Sequence, residues 1–179
     1  MPTIKNKKII SKTSLFKITE LDIEFNNNVK RKYEVISGSG RGAVMVIPVQ
    51  GKKLLFIKEY AAGIDKYTLS FPKGRIDKNE EILEAANREL QEEIGHKANK
   101  LSNIFTLDLA PGYIDHKTYI VLAEELNPSK LEGDEPEALE VVECKFSNLN
   151  NLICNPKNNI EARAIACVYL LQNHLNLKI

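Results

Sequence analysis

The sequence of 179 residues predicts an α+β fold. Several short apolar runs with strand character fill the middle of the chain, whereas helical periodicity is confined to two well-separated segments. No linker rich in Ser, Gly or Pro divides the sequence. In such an arrangement the strands are expected to form a mixed sheet, and the helices are expected to pack against it. We therefore predict one domain, residues 41–179, preceded by an N-terminal β extension, residues 1–40.

The strand candidates follow in chain order. Residues 16–25 and 29–37 flank the turn-forming cluster Asn26-Asn27-Asn28, which predicts an N-terminal β-hairpin. Residues 43–49 and 54–57 are near-continuous apolar runs joined by Gln50-Gly51-Lys52, as expected for buried strands and a tight turn. Further strands are predicted at residues 101–109, 118–124 and 139–146. A C-terminal helix is predicted over residues 160–174, and its inward-facing residues would be Ala164, Ile165, Val168, Leu171 and Leu175.

Residues 74–95, called here the carboxylate segment, predict the other helix. Either Asp77 or Asn79 is suited to cap its start, and Gly95 suits its C-terminal end. At 100° per residue one apolar stripe forms on this helix and must face the core. The stripe contains Ile82, Ala86, Leu90 and Ile94, with Leu83 beside it.

Acidic residues in the carboxylate segment do not all point to solvent. Glu89 and Glu93 fall within or against the apolar arc, and Glu92 lies at its edge, so the three carboxylates converge at spacings of three and four residues. Desolvated carboxylates at this spacing need either protons or a cation, and a hard divalent ion with oxygen ligands satisfies them. The sequence therefore predicts a metal site, with Mg²⁺ as the first choice and Mn²⁺ as a possibility. The alternative is an ordinary Glu-rich helix whose charges keep a surface solvated.

Two neighbours of these carboxylates are predicted to support them. Arg88 precedes Glu92 by one turn, so it can orient that carboxylate, and it can also reach back toward Glu80. Gly74 permits the chain to turn so that the carbonyl of Lys73 can serve as a further oxygen ligand.

Composition excludes several classes of partner. The net charge of +1 gives no general attraction to nucleic acid or to a membrane surface, so an anionic ligand would need a local site. No apolar run approaches membrane-spanning length, and the basic start lacks the apolar core of a signal peptide. We therefore expect a cytoplasmic protein.

The spacing from Gly74 through Glu80 to Arg88-Glu89-Leu90-Gln91-Glu92-Glu93-Ile94-Gly95 resembles the box of the Nudix hydrolase superfamily. Pro111 lies fifteen positions after His96, like the proline marker of members that hydrolyse ADP-ribose, although a plain turn is an equal explanation. The acidic loop, residues 131–137 (Leu131-Glu132-Gly133-Asp134-Glu135-Pro136-Glu137), resembles that of bacterial members acting on ADP compounds; its alternative is a solvated turn. Residues 57–61, 84–90 and 159–163 extend the resemblance.

The resemblance implies a Nudix-type α/β/α sandwich for residues 41–179 and a homodimer formed with the N-terminal extension. It also implies roles for named residues. Glu89 and Glu93 would bind Mg²⁺ together with the Lys73 carbonyl, Glu92 would bridge or orient, and Arg88 would orient. Glu137 would add a ligand when the loop closes, and Glu135 would be the general base. Candidate substrate contacts are Arg31, Lys58, Gly74 and Pro111, although basic residues on strands are more often solubilising.

The main functional hypothesis is Mg²⁺-dependent hydrolysis of the diphosphate bond in ADP-ribose, NADH or diadenosine polyphosphates, releasing AMP. One alternative is a hydrolase of the same fold for another nucleoside diphosphate derivative, such as a sugar nucleotide or a capped RNA end; the balanced charge disfavours RNA. Another is a non-catalytic module that binds an ADP-containing ligand.

Overall fold

The computed structural model describes residues 1–38 and 40–175. The last four residues of the predicted domain therefore lie outside the described part. Its strands are β1 (Thr3–Lys12), β2 (Lys17–Glu24), β3 (Lys30–Ser37), β4 (Ala43–Gln50), β5 (Lys53–Ala61), β6 (Lys66–Ser70), β7 (Lys73–Arg75), β8 (His96–Asp108), β9 (Ile114–Asp115), β10 (Lys117–Pro128) and β11 (Glu140–Lys145). Its helices are α1 (Ile82–Ile94), α2 (Leu149–Ile153) and α3 (Ala162–His174), and a 3₁₀ turn (Phe146–Asn148) precedes α2.

A mixed sheet forms the centre of the fold. Strands β4 and β10 pair in parallel, β8 lies antiparallel to β10, and β7 pairs with the start of β4. The β4–β5 hairpin connects this group to the antiparallel strands β6, β5 and β11. The sheet is therefore built from two groups of strands that share one hairpin, and β7 places the start of the carboxylate segment beside β4.

Two apolar cores lie on opposite faces of this sheet. Alternate residues of a strand point to opposite faces, so Met45 and Ile47 pack toward α3 whereas Val44 and Val46 pack toward α1. The same alternation separates the buried residues of β5 and β10. A helix on each face of a mixed sheet is the predicted α/β/α arrangement, and the α+β fold class is confirmed.

The N-terminal extension contains more than the predicted hairpin. Strands β2 and β3 pair as expected, but β1 adds a third antiparallel strand and β9 pairs in parallel with the end of β3. The prediction missed β1 because every one of its residues is exposed, so it lacks the alternation of buried and polar positions that predicts a strand.

The start of α1 was predicted wrongly. The N-cap residue is Glu81, whose backbone N–H donates to the Glu84 carboxylate at 3.0 Å, rather than Asp77 or Asn79. Asp77 and Asn79 belong to the preceding loop, which lets Glu80 reach Arg88 before the helix begins. Gly95 ends the helix in the left-handed conformation (φ 69°), as predicted.

The other strands and helices differ from the predicted ones mainly in length. Strand β8 begins five residues before the predicted start, β10 continues four residues beyond the predicted end, and β6 and α2 were not predicted. Helix α3 begins at Ala162 rather than at residue 160, and its predicted inward residues are all buried or partly buried in the core. None of the helices in residues 1–38 and 40–175 is long and apolar enough to cross a membrane.

A stacked aromatic pair lies in the core on the α3 face of the sheet. The rings of Phe56 and Phe71 lie 4.3 Å apart between centroids, and both side chains are fully buried. We predict that Phe71→Ala lowers the free energy of unfolding by about 3–5 kcal/mol, because it removes the stack and leaves a cavity. Denaturant unfolding followed by circular dichroism measures this value. Phe105→Ala is the control, because Phe105 is exposed on β8. Equal losses of unfolding free energy in the two variants would contradict the stabilising role of the Phe56–Phe71 stack.

Candidate functional site

Helix α1 turns two carboxylates toward the body of the protein. Glu89 and Glu93 are only 7% and 6% exposed, although acidic side chains are rarely buried without partners. The wheel-based prediction for these residues is therefore correct. It is wrong for Leu83, which is 40% exposed, because the buried face continues through Ala85 and Ala86 instead.

Arg88 connects three carboxylates. Its Nη1 donates to Glu89 at 2.7 Å and to Glu92 at 2.9 Å, and its Nε donates to Glu80 at 2.8 Å. Its Nη2 also donates to the carbonyl of Arg75 at 2.9 Å. Arg88 therefore contacts Glu92 and Glu80, the two carboxylates that it was predicted to reach. Because Glu89 and Glu92 share one guanidinium nitrogen, they do converge, as the helical spacing predicted.

Strand β7 lies against the other side of these carboxylates. The backbone N–H of Lys73 donates to Glu93 at 3.1 Å, and the Lys73 ammonium pairs with Glu59 at 2.5 Å. Position 74 must be glycine for steric reasons, because a Cβ built on Gly74 would lie 1.9 Å from Oε1 of Glu89. Glycine therefore lets the Glu89 carboxylate pack directly on the backbone of β7.

Burial dominates the electrostatics of this cluster. Desolvation raises the pKa of Glu93 to about 9, against the opposing effect of Lys73. Burial also raises the pKa of Glu89, although Arg88 acts in the opposite direction. The pKa of Glu80 is lowered, chiefly by its hydrogen bond with Arg88. For Glu89 and Glu93, the effect of desolvation on the pKa is therefore larger than the opposing effect of the nearby cations.

These donors fit a hard divalent cation, which prefers carboxylate and carbonyl oxygens. Among the described residues, no three acidic, histidine or cysteine side chains surround a common point as a complete metal shell would. The reason is visible in the contacts, since Arg88 pairs with Glu89 and Glu92 while Glu93 accepts from the backbone of Lys73. The donor chemistry fits a metal ion, and rotation of the carboxylate groups away from these partners would be needed to complete its shell.

The acidic loop lies beside α1. Lys130, just before it, donates from Nζ to the Glu92 carbonyl at 2.5 Å, and a Cβ on Gly133 would lie 3.3 Å from Cβ of Glu92. Partial desolvation raises the pKa of Glu135, an exposed residue of the loop, and the charge of Glu59 adds to this effect. Glu137 accepts a hydrogen bond from the Tyr67 hydroxyl at 2.8 Å. The loop therefore places Glu135 toward the Glu59–Lys73 pair and attaches Glu137 to β6.

Three of the predicted substrate contacts lie apart from the carboxylates. Arg31 is exposed on β3 and lines a cavity of about 510 Å³ within the N-terminal sheet. Lys58 pairs with Glu140 at 3.1 Å and lies over the ring of Tyr67. Pro111 lies in the exposed loop between β8 and β9. Gly74 alone among the four contacts the cluster, and it does so through Glu89.

The sequence reasoning missed Glu59 and Tyr67. Both lie on the β5–β6 hairpin, where Tyr60 and Tyr67 are paired across the strands with ring centroids 5.8 Å apart. It also missed a cavity of about 650 Å³ beside the carboxylate segment, lined in part by Arg41, Arg75 and Lys117. The Gly-rich run at residues 38–42 was the one sequence signal for this cavity.

Comparison with known proteins yields close relatives. Residues 39–166 match the NUDIX domain family, and residues 2–34 match the NudE-type Nudix hydrolase N-terminal domain. The chain is 42% identical to the ADP compounds hydrolase NudE of Escherichia coli K12, over 97% of this chain and 93% of that protein. It is 32% identical to the ADP-ribose pyrophosphatase of Bacillus subtilis 168, over 82% and 83% of the two chains. A crystal structure of an ADP compounds hydrolase superposes with a TM-score of 0.90 at 42% identity, covering 98% of this chain and 94% of that one.

The contact between Gly74 and Glu89 leads to a prediction for cation binding. We expect Gly74→Ala to weaken binding of Mg²⁺ by roughly tenfold or more, about 1.4 kcal/mol, because the added methyl group displaces the Glu89 carboxylate. Isothermal titration calorimetry with MgCl₂ measures the affinity. The matched control is Gly63→Ala, since a Cβ at Gly63 meets no atom within 4 Å. Unchanged Mg²⁺ affinity in a folded Gly74→Ala variant would refute the role of this contact.

Proposed function

The chain belongs to the Nudix hydrolase family, and from this premise we propose that it is a Mg²⁺-dependent hydrolase that cleaves the diphosphate bond of ADP-linked compounds and releases AMP. Nudix hydrolases generally need divalent metal ions, and Mg²⁺ is the ion we propose here. The substrates proposed are ADP-ribose, NADH and diadenosine polyphosphates. A nucleotide substrate follows from family membership, and the relatives named for ADP compounds and ADP-ribose support the ADP-linked class.

The observation that carries this proposal is the burial of Glu89 and Glu93 on α1. A surface helix places its carboxylates in water, whereas these two lie in the protein body, with their pKa values raised by burial. Keeping such groups ionised requires a compensating cation, and a negatively charged diphosphate needs that cation between itself and the carboxylates. The geometry thus suits a phosphoanhydride better than a neutral substrate.

We assign the metal-holding role to Glu89, Glu93 and the carbonyl of Lys73, with Glu137 as an additional ligand. When bound, Mg²⁺ neutralises charge on the diphosphate and aligns the attacking water. Arg88 fixes the orientation of Glu89 and Glu92 through its shared guanidinium nitrogen. Glu92 acts as the bridging or orienting carboxylate, because it remains closer to the helix edge than the two buried residues.

Glu135 is the proposed general base. It would accept a proton from the water that attacks phosphorus, while the bridging oxygen leaves with AMP or with the second phosphate product. Its placement near Glu59 and Lys73 supports this role, since Lys73 also belongs to the strand that contacts Glu93. Glu137 is hydrogen-bonded to Tyr67 in this structure, so its ligand role requires release of that bond as the loop closes.

Four residues are proposed to contact the substrate. Gly74 admits close approach of a ligand to the backbone of β7, and Pro111 shapes the exposed β8–β9 loop. Lys58 would have to exchange Glu140 for a phosphate group, whereas Arg31 would have to act from the N-terminal sheet, across a dimer. A sugar nucleotide is an alternative substrate of the same chemistry. A purely binding module is disfavoured, because an intact set of buried carboxylates is needed only where a cation is held.

We also propose that the N-terminal extension, residues 1–40, forms the contact of a homodimer. Strand β1 presents Ile4, Ile9 and Ile10 to solvent at 45%, 59% and 43% exposure. Exposed apolar side chains grouped on one sheet typify a surface that another chain covers. A cytoplasmic location is proposed as well, on the sequence alone.

We expect a molecular mass of about twice the 20.2 kDa of one chain, measured by light scattering during size-exclusion chromatography. Ile9→Glu/Ile10→Glu should shift the protein to the monomer mass, because it places charges in the proposed apolar contact. Ile64→Glu is the control, since Ile64 is 56% exposed in the β5–β6 loop, outside the extension. A dimer that persists in the double variant would place the contact elsewhere.

The enzymatic proposal predicts AMP release from ADP-ribose, NADH or a diadenosine polyphosphate in Mg²⁺ and its loss when EDTA is added. Chromatography of the reaction products measures this release, and a sugar nucleotide in the same panel tests the alternative. AMP from none of the three ADP-linked compounds would refute the proposal. Thermal stabilisation by ADP-ribose without any AMP would instead indicate a binding module.

The substitution Glu93→Gln tests the proposed metal-ligand role. We expect it to lower kcat by roughly a hundredfold or more, because it removes a ligand charge without changing side-chain shape. Glu143→Gln is its control. Glu143 is an exposed residue of β11 that pairs with Lys53 at 2.6 Å, so its loss should leave kcat within about twofold. Full activity in Glu93→Gln would contradict the ligand role.

A further inference from the structure

The side-chain ammonium of Lys73 is shielded from water to an unusual degree. Its Nζ donates to Glu59 at 2.5 Å, and the Lys73 side chain is only 16% exposed. Every other lysine that forms an ion pair within the described residues is at least 41% exposed. Lysine is rarely withdrawn from water unless other groups accept its hydrogen bonds. An ordinary surface ion pair therefore does not account for the position of this cation.

The Lys73 ammonium has hydrogen-bond donors left for a ligand. An ammonium group carries three N–H donors, and Glu59 is the one acceptor of Lys73 Nζ among the residues that the structure describes. The guanidinium of Arg88 differs, because all five of its N–H donors are used. Their acceptors are Glu80, Glu89, Glu92 and the carbonyl of Arg75. Of these two cations, Lys73 is the one that can still donate to an anion.

The ammonium acts on the proposed catalytic carboxylates. Desolvation raises the pKa of Glu93, and the charge of Lys73 has the largest opposing effect. Partial desolvation and the charge of Glu59 raise the pKa of Glu135, whereas Lys73 lowers it. A single charge that acts on both carboxylates lies close to both of them. The ammonium is therefore near a proposed metal ligand and near the proposed general base.

The hydrogen bonds of β7 turn the backbone of Lys73 toward the same region. The Pro72 carbonyl accepts from Val46 of β4, and in an antiparallel pair the next residue turns its N–H and C=O away from that partner. The Lys73 N–H accordingly reaches Glu93 at 3.1 Å, and the Lys73 C=O leaves the strand at the same edge. The carbonyl proposed as a metal ligand and the shielded ammonium thus belong to one residue at the edge of the site.

We propose that the Lys73 ammonium donates to a non-bridging oxygen of the substrate diphosphate, and that Glu59 is the positioning residue that holds the ammonium there. This inference rests on the proposed function and adds a substrate contact to it. Lysine binds phosphate groups as a compact point charge, and such hydrogen bonds are stronger than those between neutral groups. Glu59 does not have to be released, because one ammonium donor serves Glu59 while the others serve the diphosphate.

The test is Lys73→Met, which removes the ammonium but retains an unbranched side chain and the backbone carbonyl. Isothermal titration calorimetry with α,β-methylene-ADP in MgCl₂ measures binding without turnover, because a methylene group replaces the bridging oxygen of the diphosphate. The matched control is Lys53→Met, since Lys53 also pairs with a glutamate, Glu143 of β11, at 2.6 Å. Circular dichroism establishes whether each variant is folded.

We expect Lys73→Met to bind α,β-methylene-ADP roughly tenfold more weakly, because it loses a charge-assisted hydrogen bond. The KM for ADP-ribose should rise by a similar factor. The affinity for Mg²⁺ alone should not fall, since the carbonyl is retained and a repelling charge is removed. Lys73→Arg should recover part of the nucleotide affinity by restoring the charge, whereas Lys53→Met should match the wild type.

The positioning role of Glu59 is tested by Glu59→Gln, alone and together with Lys73→Met. Alone, it should weaken binding of α,β-methylene-ADP by about threefold, because the ammonium is held less firmly. In the Lys73→Met background it should cause no further weakening, because Glu59 acts only through the ammonium. The double variant also lacks the unpaired carboxylate that Lys73→Met creates, so it replaces the single variant in the binding test if that variant does not fold.

Unchanged binding of α,β-methylene-ADP in folded Lys73→Met would overturn the proposal. An equal loss in Lys53→Met would overturn it as well, since the loss would then reflect net charge alone. A parallel loss of Mg²⁺ affinity would also do so, because the lysine would then act through the metal site. Additive losses from Glu59→Gln and Lys73→Met would refute the role of Glu59. Absence of AMP from ADP-ribose would refute the proposed function, while the binding result would still decide the lysine contact.

Discussion

The contact of one guanidinium with three carboxylates is the constraint on which the site depends. Arg88 holds Glu80, Glu89 and Glu92 at hydrogen-bonding distance while its own side chain is 26% exposed. Like charges this close would separate or take up protons in the absence of a cation. The interaction therefore does more than stabilise α1. It connects the loop before the helix to the helix itself and keeps two carboxylates in a shared orientation.

Two glycines let neighbouring segments pack closely against α1. Glu89 packs on Gly74 of β7, and Glu92 packs near Gly133 of the acidic loop, so a glycine lies against the helix on each side. Position 74 has no room for a side chain, so glycine is required there because of its contact with Glu89 and not because of a turn. Lys130 fastens the loop to the Glu92 carbonyl.

The parts that the sequence could predict are those whose physical cause is local. Periodicity of 3.6 residues determines which side chains a helix buries, so the inward position of Glu89 and Glu93 could be read from spacing alone. The N-cap could not, because the competing residues before Glu81 are used in a loop stabilised by the distant Arg88. Strand β1 was missed because none of its residues is buried within the chain. The contact of Tyr67 with Glu137 joins positions 70 residues apart, and no local pattern indicates it.

Strand β7 separates two opposite electrostatic environments within three residues. On one side it contacts buried carboxylates, and on the other it lines a cavity with an excess of cations. A phosphate chain is repelled by the first environment unless a divalent cation intervenes, whereas it is attracted by the second directly.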